Sequence, residues 1–368
     1  MIRPILYVNL PAVVYALDRR ARARHGEFAT FICAPDLEEP RSGLSAFLNA
    51  LMLINPNALT WICEDRWRLL GLAQARRRGH ASAWDLNYLA ALTPAQGQPG
   101  PSSDDVLAEL LQYTLNAAIT RGVQRVFARV EDESHELEMF GRAGFQRYAR
   151  EVSYWLPELA SAAPADEPDH LQHEDTPPLR GWHRHDDWGL LRLYAATTPH
   201  RVQIAECLEG TEFLQTYTAG GRVDPSAIFG PPSEAYVFDR GVRLAGWLRL
   251  RHGRGAQPHQ LWLMAHPEDA ALAGPLLRFG LRQLAAAQPR PVLCQVREYD
   301  AATTNALRAA GFEHRGTRAL LVRHLMLRAL RPAPALEATR VAYGVKGLGT
   351  AQSHMDRGEE TIYAAHDH

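Results

Sequence analysis

Three side chains sit on strand-like runs that could hold them for proton transfer. Asp85 and Tyr88 lie on "ASAWDLNYLAAL" (Ala81 to Leu92), and His266 closes "HQLWLMAH" after His259. An unperturbed imidazole titrates near neutrality, so His266 has the chemistry of a base. Asp85 and Tyr88 are an odd number of residues apart, which places them on opposite faces of a regular strand. Glu64 and Asp65 fall at the turn of "LTWICEDRWRLLGLAQARRR" and read as solvated turn residues. His170, His173, His183 and His185 cluster in sequence, but they lack the defined spacing of a zinc site, and no metal is expected. The run "QARRRGH" (Gln74 to His80) carries charge that can meet phosphate, although a solvated hairpin end is the commoner form. A Walker loop, G-x-S-x-G and H-E-x-x-H are all absent.

These residues belong to a chain of 368, long enough for two domains. Apolar residues make up 46% and charged residues 22%, the balance of a globular chain. A formal net charge of -1 gives no global field for nucleic acid or an anionic membrane. Cys33, Cys63, Cys207 and Cys294 form no C-x-x-C pair and sit in apolar runs, so they read as buried thiols of a reducing cytoplasm. Pro4, Asn9 and Pro11 interrupt the first apolar run, against a signal peptide or spanning helix.

The elements that position the candidates occur twice. Gly144 and Gly311, 167 positions apart, end the matching stretches "FGRAGF" and "LRAAGF". Upstream of each come a hairpin, a strand, a loop into a long helix, a strand and a short helix; a strand follows each Gly-Phe. The first set uses "DDVLAELLQYTLNAAITRG" as its long helix, stopped by Gly122, and a short helix capped by Ser134. The second has a hairpin around Asp239-Arg240-Gly241 and a long helix with Asp269 near its start. Each half opens with a strand-like piece and helices: "LPAVVYALDRRAR" and "LSAFLNALMLI", then "WGLLRLYAAT" and "VQIAECLEG". Residues 158–178 read as an Ala/Pro/acid-rich linker, and residues 331–368 as a tail without apolar period.

This order of elements resembles the GNAT acyltransferase fold, read twice. The resemblance implies an α/β mixed-sheet protein of two tandem GNAT-like acyl-CoA N-acyltransferase domains, residues 1–157 and 179–330, plus the C-terminal tail. It implies a splayed pair of central strands that takes the pantetheine arm of acetyl-CoA, and a helix start beside it that takes the pyrophosphate on backbone N–H groups. In the first half the matching positions are Leu92, Thr93, Gln96, Gly97, Gly100, Ser102 and Ser103. In the second they are Ala265, Ala273 and Gly274, after the His266-Pro267 strand end. Pro99, Pro101 and Pro275 withhold N–H groups, and Asp104, Asp105, Glu268 and Asp269 add negative charge where an anion would sit. The family's proton-donating Tyr, four residues before the Gly-Phe glycine, is here Phe140 and Leu307. Asp85, Tyr88 and His266 are the candidate catalytic groups.

Two functions follow as expectations. One is transfer of an acetyl or acyl group from acyl-CoA to an amine of a small-molecule or peptide acceptor, in the cytoplasm, with no nucleic acid or membrane partner. The other is a catalytically inactive tandem GNAT-fold module that binds or regulates, with its clefts filled. Aminoacyl transfer from charged tRNA is disfavoured by the near-neutral charge and the lack of a basic stripe.

Overall fold

The computed structural model describes residues 1–5, 9, 31–33, 58–65, 68–78, 82–91, 100–157, 159, 179–206, 233–253, 257–287 and 289–325. The expected opening helices of the first half, the tail and, apart from Leu159, the linker lie outside these residues.

The first half contributes β1 (Ile2–Pro4), β2 (Phe31–Cys33), β3 (Ala58–Asp65), β4 (Arg68–Arg77), β5 (Ala83–Ala91), β6 (Arg125–Glu131) and β7 (Gln146–Leu156). Its helices are α1 (Ser103–Thr120) and α2 (His135–Arg142). The second half contributes β8 (Leu179–Gly181), α3 (Asp187–Thr197), α4 (His200–Glu206), β9 (Ser233–Asp239), β10 (Leu244–Arg251) and β11 (His259–Ala265). It ends with α5 (Ala273–Ala287), β12 (Val292–Arg297), α6 (Ala301–Ala309) and β13 (Glu313–His324). Both expected hairpins form, β3–β4 and β9–β10, with Gly241 at φ 80° in the second turn. No helix of the described residues is long and apolar enough to cross a membrane.

All the described strands join one sheet in the order β1-β3-β4-β5-β6-β13-β7-β12-β11-β10-β9-β8, with β2 on β5. The two halves therefore exchange their last strands. β13 lies between β6 and β7 of the first half, and β7 lies between β12 and β13 of the second. Glu151 of β7 faces Arg318 of β13 across the ladder, and these two residues have the same 167-residue spacing as the Gly-Phe glycines. A residue paired with its own repeat equivalent marks a pseudo-two-fold axis, so the duplication is also a spatial symmetry. Arg323 of β13 adds a further tie by donating from Nη1 to the Ala143 carbonyl that ends α2, a basic group at a helix C-terminus.

On one face of the sheet α1 buries Leu107, Leu110, Leu111, Leu115 and Ala118, a stripe at helical spacing, against Trp61, Ala73, Trp84 and Leu89. The second half repeats this with Leu277, Leu281 and Leu284 of α5 against Leu248, Leu261 and Val292. Gly144 and Gly311 both adopt φ 82°, and the following Phe145 and Phe312 are buried. A Cβ at Gly311 would meet nothing within 4 Å, and at Gly144 only the Arg323 guanidinium at 3.6 Å. The cost of a side chain at either glycine is thus conformational. Gly144→Ala and Gly311→Ala are each expected to lower stability by about 1–2 kcal/mol, nearly equally, in chemical denaturation. A loss at only one site would contradict their equivalence.

Two details depart from the sequence reading. Ser134 stands at the α2 N-cap but makes no capping bond. The expected helix from Asp269 begins only at Ala273. Before it runs a 3-10 segment, Pro267–Leu272, with Asp269 off helical geometry at φ -117°. Arg240 and Arg243 of the β9–β10 hairpin hold the Asp269 carboxylate, each at 2.9 Å, and Arg243 also pairs with Glu268.

Candidate active site

The two central strand pairs separate as a ligand cleft requires. β5 and β6 pair in parallel only from Ala83↔Arg125 to Asp85↔Phe127. β11 and β12 pair only from His259↔Val292 to Leu261↔Cys294. Beyond those points β5 parts from β6 and β11 parts from β12, so the paired strands separate toward the C-terminal ends of β5 and β11.

In the first half the gap is aided by a bulge. Gln74 faces Tyr88 while Ala75 faces Leu86, which leaves Asn87 as an extra residue. The bulge reverses the alternation: Trp84 and Leu86 point to α1 before it, and Leu89 and Ala91 after it. Asp85 and Tyr88 therefore share the face away from α1, where regular alternation had placed them on opposite faces. Asp85 is partly exposed and lies 3.6 Å from Arg78, and Tyr88 is buried. In β11 the alternation is unbroken, with Leu261, Leu263 and Ala265 toward α5 and Trp262 and Met264 toward α3.

The gap on β5 is not empty. β2 pairs antiparallel with it, Phe31↔Ala90, Ile32↔Leu89 and Cys33↔Tyr88. β4 already occupies the other edge of these residues. So β2 runs along the edge exposed by the departure of β6. No described strand takes the matching edge of β11, Trp262 to Ala265.

The helix starts beside the two gaps differ as well. Ser102 caps α1, its Oγ accepting from the Asp105 amide at 3.1 Å and donating to Asp105 Oδ2 at 2.7 Å. Asp104 lies 3.8 Å from His135 of α2, and Gly100 is exposed. Ser103 opens the helix, whose first-turn N–H groups have no intrahelical acceptor. Leu92, Thr93, Gln96 and Gly97 lie outside the described residues. In the second half the amides are already engaged. Asp269 donates to the His266 carbonyl at 2.8 Å, Glu268 to His266 Nδ1 at 3.3 Å, and Ala273 to the Ala270 carbonyl. Pro275 has no N–H to offer, and Gly274 follows the buried Ala273. His266 thus stands as the cap of the 3-10 segment, at the end of the strand that Ala265 closes.

Phe140 and Leu307 are fully buried, and Phe140 packs on Phe145 with ring centroids 5.0 Å apart. They are core residues, so a hydroxyl placed there would be desolvated. Phe140→Tyr is expected to destabilise the chain by about 1–3 kcal/mol in thermal or urea melts and to add no activity.

The face carrying Asp85 holds a charged network that the sequence did not reveal. Glu206, at the end of α4, is buried. It accepts from Tyr194 at 2.6 Å, Arg297 Nη2 at 2.8 Å and Tyr148 at 3.3 Å, and Arg125 donates to its carbonyl at 2.9 Å. Arg78 stacks over Phe127 at 4.3 Å. One arginine of the "QARRRGH" run is therefore turned inward, where a solvated end was expected. Burial pushes the Glu206 carboxyl up, but Arg297, Arg78 and the Tyr194 hydroxyl more than offset it, and the net shift is downward. Burial, with Glu206 nearby, pushes the Tyr148 phenol up to about 12. The network joins side chains of both halves: Arg78, Arg125 and Tyr148 from the first, Tyr194, Glu206 and Arg297 from the second. Cys63 and Cys294 are buried free thiols held above the usual range by desolvation. Among the described residues no group of three or more acidic, His or Cys side chains is placed to hold a metal.

Comparison with solved structures meets this geometry. A tandem GNAT protein from the clavulanic acid biosynthesis pathway aligns with a TM-score of 0.52 at 13% identity, over 88% of this chain and 98% of its own. The fold is a tandem GNAT fold. A GCN5-related N-acetyltransferase from Sphaerobacter thermophilus gives 0.51 at 13% identity, over 88% and 95%. No family profile and no curated protein matches the sequence. At these identities the likeness lies in the tandem GNAT architecture, an α/β mixed sheet with two splayed strand pairs.

Proposed function

We propose that the chain is an N-acyltransferase that moves an acetyl or acyl group from acyl-CoA to an amine, in the cleft of its first half. The observation that carries this reading is the gap between β5 and β6, with its bulge at Asn87 bringing Asp85 and Tyr88 to one face. The Ser102-capped start of α1 supports it, because a capped helix N-terminus beside the gap favours an anion. Acetyl-CoA would lay its arm along β5 from Leu92 and Thr93, and its pyrophosphate against Gln96, Gly97, Gly100, Ser102 and Ser103. A neutral amine attacks the thioester carbon, the C–S bond breaks and thiolate leaves. Asp85 accepts the amine proton, Tyr88 supplies a hydroxyl on the same face, and strand-edge N–H groups polarise the carbonyl. The second half, with Ala265, His266, Ala273 and Gly274, then serves as scaffold.

Release of the CoA thiol from acetyl-CoA, measured across a panel of small-molecule and peptide amines, tests this. Asp85→Asn is expected to slow amine-dependent release about 10²–10⁴-fold, and His266→Ala to leave it unchanged. No amine-dependent release across the panel would reject the reading. A second reading, an inactive binding or regulatory module, is favoured by one observation: each half lacks something. The first has its strand edge filled by β2, and the second has its helix-start amides engaged. Acetyl-CoA binding without turnover on any amine would favour it.

A further inference from the structure

The edge of β5 from Tyr88 to Ala90 is the place where an extended ligand carrying amide groups would complete the sheet. It is also where β2 sits. We infer that β2 is an internal occupant of the ligand slot: residues 31–33 and the diamide arm of an acyl thioester compete for the same main-chain groups. This rests on the acyltransferase reading above, and it adds regulation of that site.

The argument is one of hydrogen-bond geometry. β5 has two edges. β4 takes one along Trp84 to Ala91. β6 takes the other only as far as Asp85, and β2 takes it from Tyr88 onward. An unpaired strand edge inside a molecule leaves polar groups unsatisfied, so some extended chain must cover it. A strand of the same polypeptide does this at high effective concentration. No described strand covers the symmetry-related edge of β11. A ligand that binds only when β2 is out has its apparent affinity reduced by the fraction of molecules in that state. If β2 is out in about one molecule in ten, binding weakens about tenfold.

The register supplies the test. Phe31 and Ala90 are direct antiparallel partners. Such partners have Cα atoms about 4.5–5.5 Å apart, within disulfide reach. Full-length F31C/A90C is expected to form a disulfide on oxidation, to lose acetyl-CoA binding in calorimetry, and to regain it on reduction. Full-length F31P/I32P removes whichever N–H of these two successive positions faces β5 and is expected to bind acetyl-CoA at least about tenfold more tightly than the unaltered chain. Circular dichroism and thermal melting establish that both variants are folded. Failure of the disulfide to form, or equal affinity in locked, unlocked and proline variants, overturns the inference and leaves the acyltransferase reading standing. A disulfide that forms while no variant binds acetyl-CoA overturns the acyltransferase reading, and the competition with it.

Discussion

Glu206→Gln is expected to lower stability by about 3–5 kcal/mol, a large part of the net stability of an ordinary domain. The carboxylate is buried and receives Tyr194, Tyr148 and Arg297. A neutral amide keeps the shape but removes the negative charge that faces Arg297 and Arg78 in a low-dielectric setting. Much of the loss is the cost of a buried cation that has lost this carboxylate, so E206Q with Arg297→Met is expected to recover part of it. The pH dependence follows from the direction of the shift. The carboxyl is held below its usual range in the folded chain, whereas unfolded Glu titrates near 4.3. Its contribution is therefore complete above about pH 5 and is lost as pH falls through the folded value. Urea midpoints of the unaltered chain and E206Q, compared at pH 7 and in acid, should converge as pH drops. A difference that is absent at pH 7, or that grows in acid, contradicts this assignment.

Residues 1–157 alone are expected not to form a stable monomer, and to fold only with residues 158–368 present. In the full chain β6 and β7 are separated by β13, which hydrogen-bonds to both. Removing the second half exposes one edge of β6 and leaves β7 without either of its neighbours. Two copies of the fragment could in principle exchange β7 strands about the same axis. That would set Glu151 opposite Glu151, where the intact chain has Glu151 opposite Arg318. Like charges directly across a ladder are destabilising, and opposite charges contribute about 0.2–1 kcal/mol, so the sequence favours pairing of unlike halves. Circular dichroism and size-exclusion chromatography of each fragment, separately and mixed, measure this. A well-folded monomer of residues 1–157 would show that the exchanged strand is dispensable.

The parts of the fold written in local patterns were legible. The two hairpins, the long helix stopped at Gly122 and the Gly-Phe turns are each fixed by residues within a few positions of one another. The strand exchange was not, because a period of two says that "TRALLVRHL" is a strand and does not say whose neighbour it becomes. The relation of Asp85 to Tyr88 was misread for a related reason. A single bulged residue at Asn87 reverses every face after it, and nothing in "WDLNYL" announces a bulge. Glu206 sat unremarked in "VQIAECLEG", since a buried carboxylate is defined by partners far away in sequence: Tyr148 and Arg297. The late start of α5 has the same origin, as the arginines that draw Asp269 out of helical geometry come from the preceding hairpin.

These observations place the asymmetry of the molecule in its two clefts. Hydrogen exchange of the full chain with and without acetyl-CoA tests that asymmetry most directly. Acyl transfer in the first half predicts altered exchange in peptides covering Tyr88–Ala91 and Gly100–Val106, with Trp262–Leu277 unchanged. Changes confined to Trp262–Leu277, or none in either region at saturating ligand, would contradict it.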